Sequence, residues 1–360
     1  MALVFFRGAE KERLNAINQS RSVPPKQVIL GIESSCDDTA AAVIVDGMLK
    51  SSVVSSQLEH VAYGGVVPEL ASRAHERVIV PVVEEALRQA QILKSDLSGI
   101  AVTSGPGLIG SLLVGVSFTK AMAVGLGVPF IGINHLEGHL SSLYLGPNGP
   151  PSPHLSLIVS GGHTQLMKVT SPGTAELMGR TRDDAAGEAF DKVGKILGLD
   201  YPAGPVIDER AKKGDPTFHA FPRTRLQGYD WSFSGIKTSV LYFLNALSEK
   251  ERESLLEQSL NDIAASFQEA VVDMLVAPVK KAMKETGIRH LGIVGGVSAN
   301  TRLRTKLNDL VNSMDGHLYV PDLEYCMDNA AMIAMAGYQR MIQGESSPLT
   351  LTADPSLKLS

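Results

Sequence analysis

The chain has 360 residues and a formal net charge of −5, with 44% hydrophobic residues and two cysteines. This length suits two domains of about 100–200 residues each. The acidic net charge excludes the basic character typical of a domain that binds nucleic acid by itself, so any RNA contact requires a local basic patch or a partner. Two cysteines make no disulfide framework, which indicates a reducing compartment. We expect the cytoplasm, with the mitochondrion as the alternative.

Residues 1–26 are interpreted as an N-terminal extension that we expect to be disordered. They contain acidic as well as basic residues and only a short apolar run, so they match neither a secretory signal nor a typical mitochondrial presequence. The most apolar stretch, residues 108–126, is interrupted by Lys120 and by small polar residues. It is predicted to be a buried helix, and we expect no contact with a membrane.

The predicted elements of the first half begin at Val28. The β-rich runs VILGIESS and AAAVIV flank the polar turn CDDT, and KSSVVSS follows as a third strand. Apolar residues then recur with helical spacing over residues 66–90. The strand GIAVTS, the helix SLLVGVSFTKAMAVGL and the strand PFIGINH follow, so this half continues as an alternation of helices and strands.

The second half begins after the proline-rich break GPNGPPSPH and repeats the first in outline. LSLIVSGG and HTQLMKVT form a strand, a polar turn and a strand, and helices follow, with the longest over 255–286. The strand HLGIVGG, a helix opened by GVSANTRLR and a late helix in DNAAMIAMAGYQRMI complete the pattern. A hairpin with a polar tip is not the usual start of a βαβ unit, so we interpret the halves as duplicated lobes around a cleft. Two unrelated α/β lobes are the alternative.

The predicted fold is therefore α/β, with two similar lobes and a ligand cleft between them. The N-terminal lobe covers residues 27–150, the C-terminal lobe covers 151–345, and residues 346–360 form a tail. This architecture places the polar turn of each half at the cleft.

Three polar turns follow predicted strands and are candidates for a nucleotide site. Asp37 and Asp38 lie at the first hairpin tip and can face a phosphate through Mg²⁺, although a solvated Asp–Asp turn is the alternative. The glycines of the SGG turn at 160–162 let a phosphate approach backbone amides, or they simply close a hairpin. The third turn covers residues 295–300 and ends at Asn300. Open α/β sheets hold ligands at such a turn between a strand and a helix, and capping the helix is the alternative role of Asn300.

The segment HLEGH carries a candidate metal site. His135 and His139 are four residues apart, so on a helix they share one face and can bind one transition metal. A third ligand is required, and Asp328 is the candidate, although it can instead cap the helix that follows. A zinc peptidase needs Glu directly after the first His, whereas here Glu137 comes one residue later, which argues against peptidase activity.

Two further segments have weaker signals. Asp191 and Asp208 can accept hydrogen bonds from a ribose, with Gly204 allowing close approach, although an acidic amphipathic helix explains the same pattern. WSFSGIKT is predicted to be rich in turns, with Lys237 as a candidate for RNA or phosphate contact and Trp231 as a core residue in the alternative.

Nine segments taken together resemble one known family, from about Val28 to about Gly344. The chain resembles the universal tRNA threonylcarbamoyladenosine transferase family. The segments that carry this resemblance, in the family's order, are GIESSCDDT, VTSGPGLIGSLLVG, NHLEGH, VSGGHTQL, AGEAFDKVGKILGL, YPAGP, WSFSGIKT, GGVSANTRLR and MDNAAMIA.

The resemblance implies an actin/Hsp70/sugar-kinase-like (RNase H-like) fold. It implies one divalent metal, Fe²⁺ or Zn²⁺, on His135, His139 and Asp328, with Mg²⁺ as a further ion beside the nucleotide. It implies transfer from threonylcarbamoyl-adenylate to the adenosine 3′ of the anticodon in tRNAs that read codons starting with A. It also implies two partners, a paralogue-like subunit and a P-loop ATPase. The nucleotide-binding residues that it implies are Ile158, Val159, Ser160, Gly161, Gly162, Asp191, Gly204, Asp208 and Asn300.

Within this reaction we assign roles by position. Asp37 is the first choice for the group that accepts the proton of the attacking amine, and Asp38 is the second. Amides of the SGG turn are expected to stabilise an oxyanion or the phosphate. For a tRNA substrate, Arg223 and Arg225 are the expected contacts, because they directly precede WSFSGIKT. The rival functions are a small-molecule kinase and an ATP-switched scaffold of the same fold.

Overall fold

Two mixed five-stranded sheets organise the structure, a computed structural model that describes residues 26–57 and 66–359. The expected N-terminal extension lies outside the described residues except for Lys26. The first sheet has the strand order β3-β2-β1-β4-β5. Its strands are β1 (Val28–Glu33), β2 (Asp38–Val45), β3 (Met48–Ser56), β4 (Gly99–Gly105) and β5 (Phe130–Asn134). The helices between and after these strands are α1 (Pro68–Ala90), α2 (Ile109–Leu126) and α3 (His135–Ser141).

The second sheet has the strand order β10-β9-β6-β7-β8. Its strands are β6 (His154–Val159), β7 (Thr164–Ser171), β8 (Thr174–Arg180), β9 (His290–Val294) and β10 (His317–Tyr319). The helices of this half are α4 (Ala186–Ile196), α5 (Ala203–Ala211), α6 (Ser234–Asn245), α7 (Glu249–Thr286), α8 (Thr301–Asn312) and α9 (Ala330–Met341).

The two sheets share one topology, which confirms the predicted duplicated α/β fold. In the first sheet, the central strand β1 pairs antiparallel with β2 and parallel with β4. In the second, β6 pairs antiparallel with β7 and parallel with β9. Both central strands are buried along their whole length. Strands covered on both faces read as continuous apolar runs rather than as an alternation, which is why VILGIE and HLSLIV were recognisable.

The segment WSFSGIKT is less turn-rich than predicted. Helix α6 begins at Ser234, so Lys237 lies within a regular helix. Asp183 accepts hydrogen bonds from the backbone amides of Phe233 and Ser234, at 2.7 and 3.3 Å, and so occupies the start of this helix. Trp231 is buried and its indole N–H donates to the carbonyl of Met274 at 3.0 Å, so its core role is confirmed.

Helix α9 packs on the first sheet, although it follows the second sheet in sequence. It contacts β1, β2 and β4. A Cβ atom on Gly31 of β1 would lie 2.5 Å from both the carbonyl oxygen of Ala330 and the amide nitrogen of Ala334, so helix and strand touch through their backbones. The tail continues on this lobe, where the amide of Asp354 donates to the Ser104 carbonyl at 2.8 Å. We therefore propose that α9 and the tail belong structurally to the first lobe, whereas the sequence analysis assigned 151–345 to the second.

Helix α2 corresponds to the segment predicted to be a buried helix. Of the described helices it alone is long and apolar enough, by length and composition, to cross a membrane. One face packs against β4 and α1, whereas Leu113 and Val124 are 49% and 62% exposed on the other.

The packing of α9 on β1 predicts a large stability difference between two glycine-to-alanine variants. Gly31→Ala is expected to lower the free energy of unfolding by about 1–3 kcal/mol, because backbone atoms block the new methyl group. Gly125→Ala, on the exposed side of α2 with no atom within 4 Å of the new Cβ, is expected to be neutral or to stabilise by up to about 1 kcal/mol. Urea unfolding followed by circular dichroism measures both. Equal free energies of unfolding for the two variants would show that α9 does not pack this closely on β1.

Candidate metal centre and nucleotide cleft

The predicted metal ligands come together at the junction of the two lobes. Helix α3 starts directly after β5, and the side chain of Asn134 caps it by accepting from the Leu136 amide at 2.9 Å. His135 and His139 lie on one face of this helix. Asp328, from the loop before α9, places its Oδ1 3.3 Å from His135 Nε2 and 3.2 Å from His139 Nε2. The cap of α9 is Asn329, so the alternative role for Asp328 is not the one observed.

This cluster fits a divalent cation. His139 is 1% exposed, and neither of its ring nitrogens has a hydrogen-bond partner among the described residues. Its contact with Asp328 is therefore close in distance without being a hydrogen bond. An unsatisfied buried polar group costs about 1–3 kcal/mol, and a bound cation would relieve that cost. Two imidazoles and one carboxylate suit both zinc and ferrous iron.

Glu33 is a member of this centre that the sequence analysis missed. It ends β1, is 1% exposed, and places Oε2 3.1 Å from His135 Nδ1. The hydroxyl of Thr103 donates to the same oxygen at 2.6 Å. A carboxylate behind a metal-binding histidine orients the ring and raises its basicity. The sequence did contain a signal for Glu33, namely an acidic residue at the end of an otherwise apolar strand.

The charges of the centre stabilise one another. Burial opposes the charged forms, but Asp328 and Glu33 together hold the pKa of His135 well above its usual value. Burial likewise opposes ionisation of Asp328, and the two histidines hold its pKa well below the usual range. A cation must displace the proton on His135 to bind, so metal affinity is expected to fall as the pH falls.

His163 faces the same centre from the second lobe. Burial, and then the charges of His135 and His139, lower its pKa to about 4. Its imidazole is therefore neutral at physiological pH. The sequence pattern VSGGHTQL contains this residue but predicted no role for it.

The acidic turn lies within electrostatic reach of the metal centre. Burial raises the pKa of Asp38 to about 6; a hydrogen bond from Ser56 opposes this shift, and the charges of Asp37 and Asp328 add to it. On the other side, burial and the charges of Asp191 and Asp37 raise the pKa of Tyr201. The turn therefore connects the metal centre to the cavity that Tyr201 lines.

A cavity of about 340 Å³ has Tyr201 in its wall, so it lies within electrostatic reach of Asp37 in the acidic turn. Its wall includes Met327, the residue before Asp328, so it opens next to the metal centre. The predicted nucleotide-binding residues that line it are Gly161, Asp191, Gly204, Asp208 and Asn300. Ser160 and Gly162 flank the wall without lining it.

The predicted nucleotide-site residues Ile158 and Val159 have buried side chains. Both are 0% exposed in β6 and pack in the lobe cores, so neither side chain lines the cavity. A strand that is covered on both faces turns its side chains into the cores, and only the turn that follows it reaches the ligand. Of this segment, Gly161 is the residue at the cavity wall.

Three polar residues of the cavity are held by hydrogen bonds at helix starts. Asp191 accepts from the Ala203 amide at 2.8 Å, and Asp208 accepts from the Thr301 hydroxyl at 2.9 Å. Asn300 caps α8, which confirms its alternative role, while its Nδ2 donates to Gln268 Oε1 at 2.7 Å. These bonds fix the side chains before any ligand binds. Each carboxylate still has free lone pairs for ribose hydroxyls.

The predicted RNA contacts lie apart from this cavity. Arg223 and Arg225 line a second cavity of about 570 Å³ together with Lys280 and Lys281. Arg223 is paired with Asp273, with Nε 2.8 Å from Oδ2, whereas Arg225 is exposed. The patch is basic but also contains two carboxylates, those of Asp230 and Asp273.

Comparison with known proteins identifies the family. The profile described as tRNA N6-adenosine threonylcarbamoyltransferase matches residues 48–335. The chain belongs to the tRNA N6-adenosine threonylcarbamoyltransferase family. A relative of that name from Salinibacter ruber is 58% identical over 333 residues, which cover 92% of this chain and 100% of the relative. One from Carboxydothermus hydrogenoformans is 50% identical over 337 residues, which cover 92% of this chain and 98% of the relative.

Solved structures agree with the fold of this transferase family. Component A of (R)-2-hydroxyglutaryl-CoA dehydratase from Acidaminococcus fermentans superposes with a TM-score of 0.51 at 15% identity, over 88% of this chain and 99% of that one. Full-length HypF superposes with a TM-score of 0.58 at 13% identity, over 89% of this chain and 47% of that one. At these identities the likeness concerns the fold alone, and it supports the predicted two-lobe, actin/Hsp70-like architecture.

The metal centre predicts about one Zn or Fe per chain in protein purified without chelators. His139→Ala is expected to lose that metal, because only two ligands remain. His317→Ala, which removes an exposed histidine on β10, is the matched control and is expected to retain it. Elemental analysis by plasma mass spectrometry measures both. Full metal content in His139→Ala would exclude this site.

The cavity predicts that Gly161→Val weakens nucleotide binding without unfolding the protein. A Cβ atom at Gly161 meets no atom within 4 Å, so the side chain extends into the cavity rather than into the core. Calorimetry with AMP or ADP is expected to show at least a tenfold weaker affinity. Gly146→Val, in an equally open loop position, is expected to bind normally. Unchanged affinity in Gly161→Val would place the phosphates elsewhere.

Proposed function

We propose that this chain transfers a threonylcarbamoyl group from threonylcarbamoyl-adenylate to N6 of the adenosine 3′ of the anticodon in tRNAs that read codons starting with A, and that it releases AMP. The observation that supports this most strongly is the meeting of a metal-ligand cluster, an acidic turn and a nucleotide-sized cavity in one place. Family membership supplies the identity of the transferred group and of the acceptor.

The acidic turn supplies the proposed proton acceptor. The attacking amine must lose a proton as its nitrogen bonds to the carbonyl carbon and the bond to AMP breaks. We propose the reverse of the order expected from the sequence, with Asp38 as the first choice and Asp37 as the second. Burial brings the pKa of Asp38 to about 6, so it is mostly ionised at pH 7 and close to the value that best suits a general base.

The cavity holds the adenylate in this proposal. Asp191 and Asp208 accept hydrogen bonds from the ribose hydroxyls, and the open backbone at Gly161 lets the phosphate approach the amides of the SGG turn. Such amides can stabilise a developing oxyanion by up to a few kcal/mol per donor. His163, neutral at pH 7, directly follows this turn, is within electrostatic reach of the metal centre, and can donate or accept one hydrogen bond.

The metal centre completes the proposal. His135, His139 and Asp328 would hold the cation, and Glu33 would orient His135. When bound, the ion would polarise a substrate oxygen as a Lewis acid. Fe²⁺ and Zn²⁺ suit these ligands equally, and Mg²⁺ beside the nucleotide remains a prediction. The paralogue-like subunit and the P-loop ATPase remain predictions from the resemblance, and the cytoplasmic location remains a prediction from the cysteine content and the N-terminal sequence.

The direct test is incubation with synthetic threonylcarbamoyl-adenylate and unmodified tRNA, with the predicted partner subunits present, followed by nucleoside analysis. We expect modified adenosine and AMP in equal amounts. Phosphoryl transfer from ATP to a small molecule, with no modified nucleoside, would instead support the kinase. ATP hydrolysis coupled only to assembly would support the scaffold.

The raised pKa of Asp38 predicts an acidic limb in the pH profile of transfer. A base must be ionised, so the single-turnover rate is expected to fall as the pH drops below about 6 and to level off above it. Asp38→Asn is expected to lose this limb and most of the rate, whereas Asp309→Asn, on the exposed side of α8, keeps both. If Asp38→Asn keeps the acidic limb of the pH profile, a group other than Asp38 is responsible for that limb.

The basic cavity predicts the salt dependence of tRNA binding. Each phosphate contact contributes roughly −0.7 to −0.9 to the slope of log K against log salt concentration. Replacing Arg223 and Arg225 together by Ala is therefore expected to make the slope shallower by about 1.5. A double Ala variant of Arg73 and Arg88, which are paired with glutamates on α1, changes the net charge equally and is expected to keep the slope. Identical slopes in all three proteins would remove this pair from the interface.

A further inference from the structure

His75 is a buried histidine on α1 that is bonded on both sides to the acidic turn. It is 0% exposed. Its Nδ1 lies 2.7 Å from the hydroxyl oxygen of Thr39, and its Nε2 lies 2.9 Å from the carbonyl oxygen of Cys36. These two partners are the residues directly before and after Asp37 and Asp38. One ring therefore spans the base of the turn that presents both carboxylates.

The partners define the roles of the two ring nitrogens. A carbonyl oxygen can only accept, so Nε2 carries a proton and donates to Cys36. In the neutral ring, Nδ1 then accepts from the Thr39 hydroxyl. His75 thereby links Cys36 and Thr39. No hydrogen bond of the sheet joins these two residues directly, because Cys36 lies before β2, which starts at Asp38.

We propose that His75 is a positioning residue that sets where the Asp37 and Asp38 carboxylates point. The inference rests on the transfer reaction proposed above. His75 does not line the adenylate cavity and is none of the three candidate metal ligands. Its effect would therefore pass through the turn and not through contact with substrate.

The two ends of the turn are held by different elements. Its first half is held on the α2 side, where the Leu108 amide donates to the Ser35 carbonyl at 2.8 Å and the Ser111 hydroxyl donates to Cys36 at 3.2 Å. The Ser35 amide donates to Glu33, which also contacts His135. These bonds end at Cys36. On the far side of the turn, Asp38 and Thr39 pair with Ser56 and Ser55 of β3. His75 joins these two ends of the turn to each other and to α1.

Position matters here because proton transfer is sensitive to distance. A base must lie within hydrogen-bond reach of the proton that it accepts, and a displacement of about 1 Å can cost on the order of 100-fold in rate. A histidine that merely fills the core predicts a different result, namely a loss of stability that leaves the chemical step unchanged.

Three variants separate these roles. His75→Leu removes both bonds, His75→Gln retains an amide that can donate to the Cys36 carbonyl, and Thr39→Val removes only the hydroxyl partner. The full-length chain, with its partner subunits, is assayed for kcat and for KM of threonylcarbamoyl-adenylate. Metal content and thermal unfolding are measured on the same preparations.

We expect His75→Leu to lower kcat by about 10–100-fold, with KM and metal content within twofold of the wild type. His75→Gln is expected to recover most of the rate, and Thr39→Val to lie in between. Combining Thr39→Val with His75→Leu is expected to add little, because both act on one bond network. If His75→Leu does not fold, Thr39→Val and His75→Gln decide whether His75 has a positioning role or only a structural one.

Unchanged kcat in His75→Leu or in Thr39→Val overturns the proposal. So does a loss of rate that follows metal loss or unfolding and that Gln does not rescue, since that pattern marks a structural residue. These outcomes leave the transfer reaction itself standing, because the wild type still modifies tRNA. Absence of transfer by the wild type would overturn both proposals.

Discussion

The contact of Asp328 with the two histidines of α3 is the constraint on which the rest of the site depends. All three side chains are close enough for one ion, with ligand atoms within 4.8 Å of one another. Asp328 lies near the end of the chain, whereas the histidines lie at the end of the first sheet. The chain must therefore return to the first lobe after completing the second sheet. Helix α9, packed backbone to backbone on β1, is what holds it there.

The neighbours of these ligands extend the constraint into the cleft. Met327, next to Asp328, forms part of the cavity wall. Glu33, behind His135, also accepts from the Ser35 amide and so holds the start of the acidic turn. A displacement of the metal-ligand residues would thus also shift the cavity wall and the acidic turn. This coupling gives a physical reason why the proposed chemistry occurs at the junction of the lobes and not within either one.

Local patterns in the sequence were sufficient for the architecture and for the candidate metal cluster. Continuous apolar runs predicted the central strands, and the spacing of His135 and His139 predicted a shared helix face. What they did not predict depends on contacts between distant segments. Glu33 meets His135, His75 meets the acidic turn, and Gln268 meets Asn300 only in the folded chain. The return of α9 to the first lobe is equally a matter of tertiary packing, and the burial of Ile158 and Val159 reflects a strand that is covered on both faces.

The central claim is that one metal ion and one adenylate share this cleft. It is tested most directly by crystals grown with AMP, with anomalous diffraction collected at the Fe and Zn edges. The account predicts one anomalous peak between His135, His139 and Asp328, and nucleotide density in the cavity lined by Asp191, Gly204 and Asp208. A metal peak elsewhere, or AMP bound outside this cavity, would contradict it.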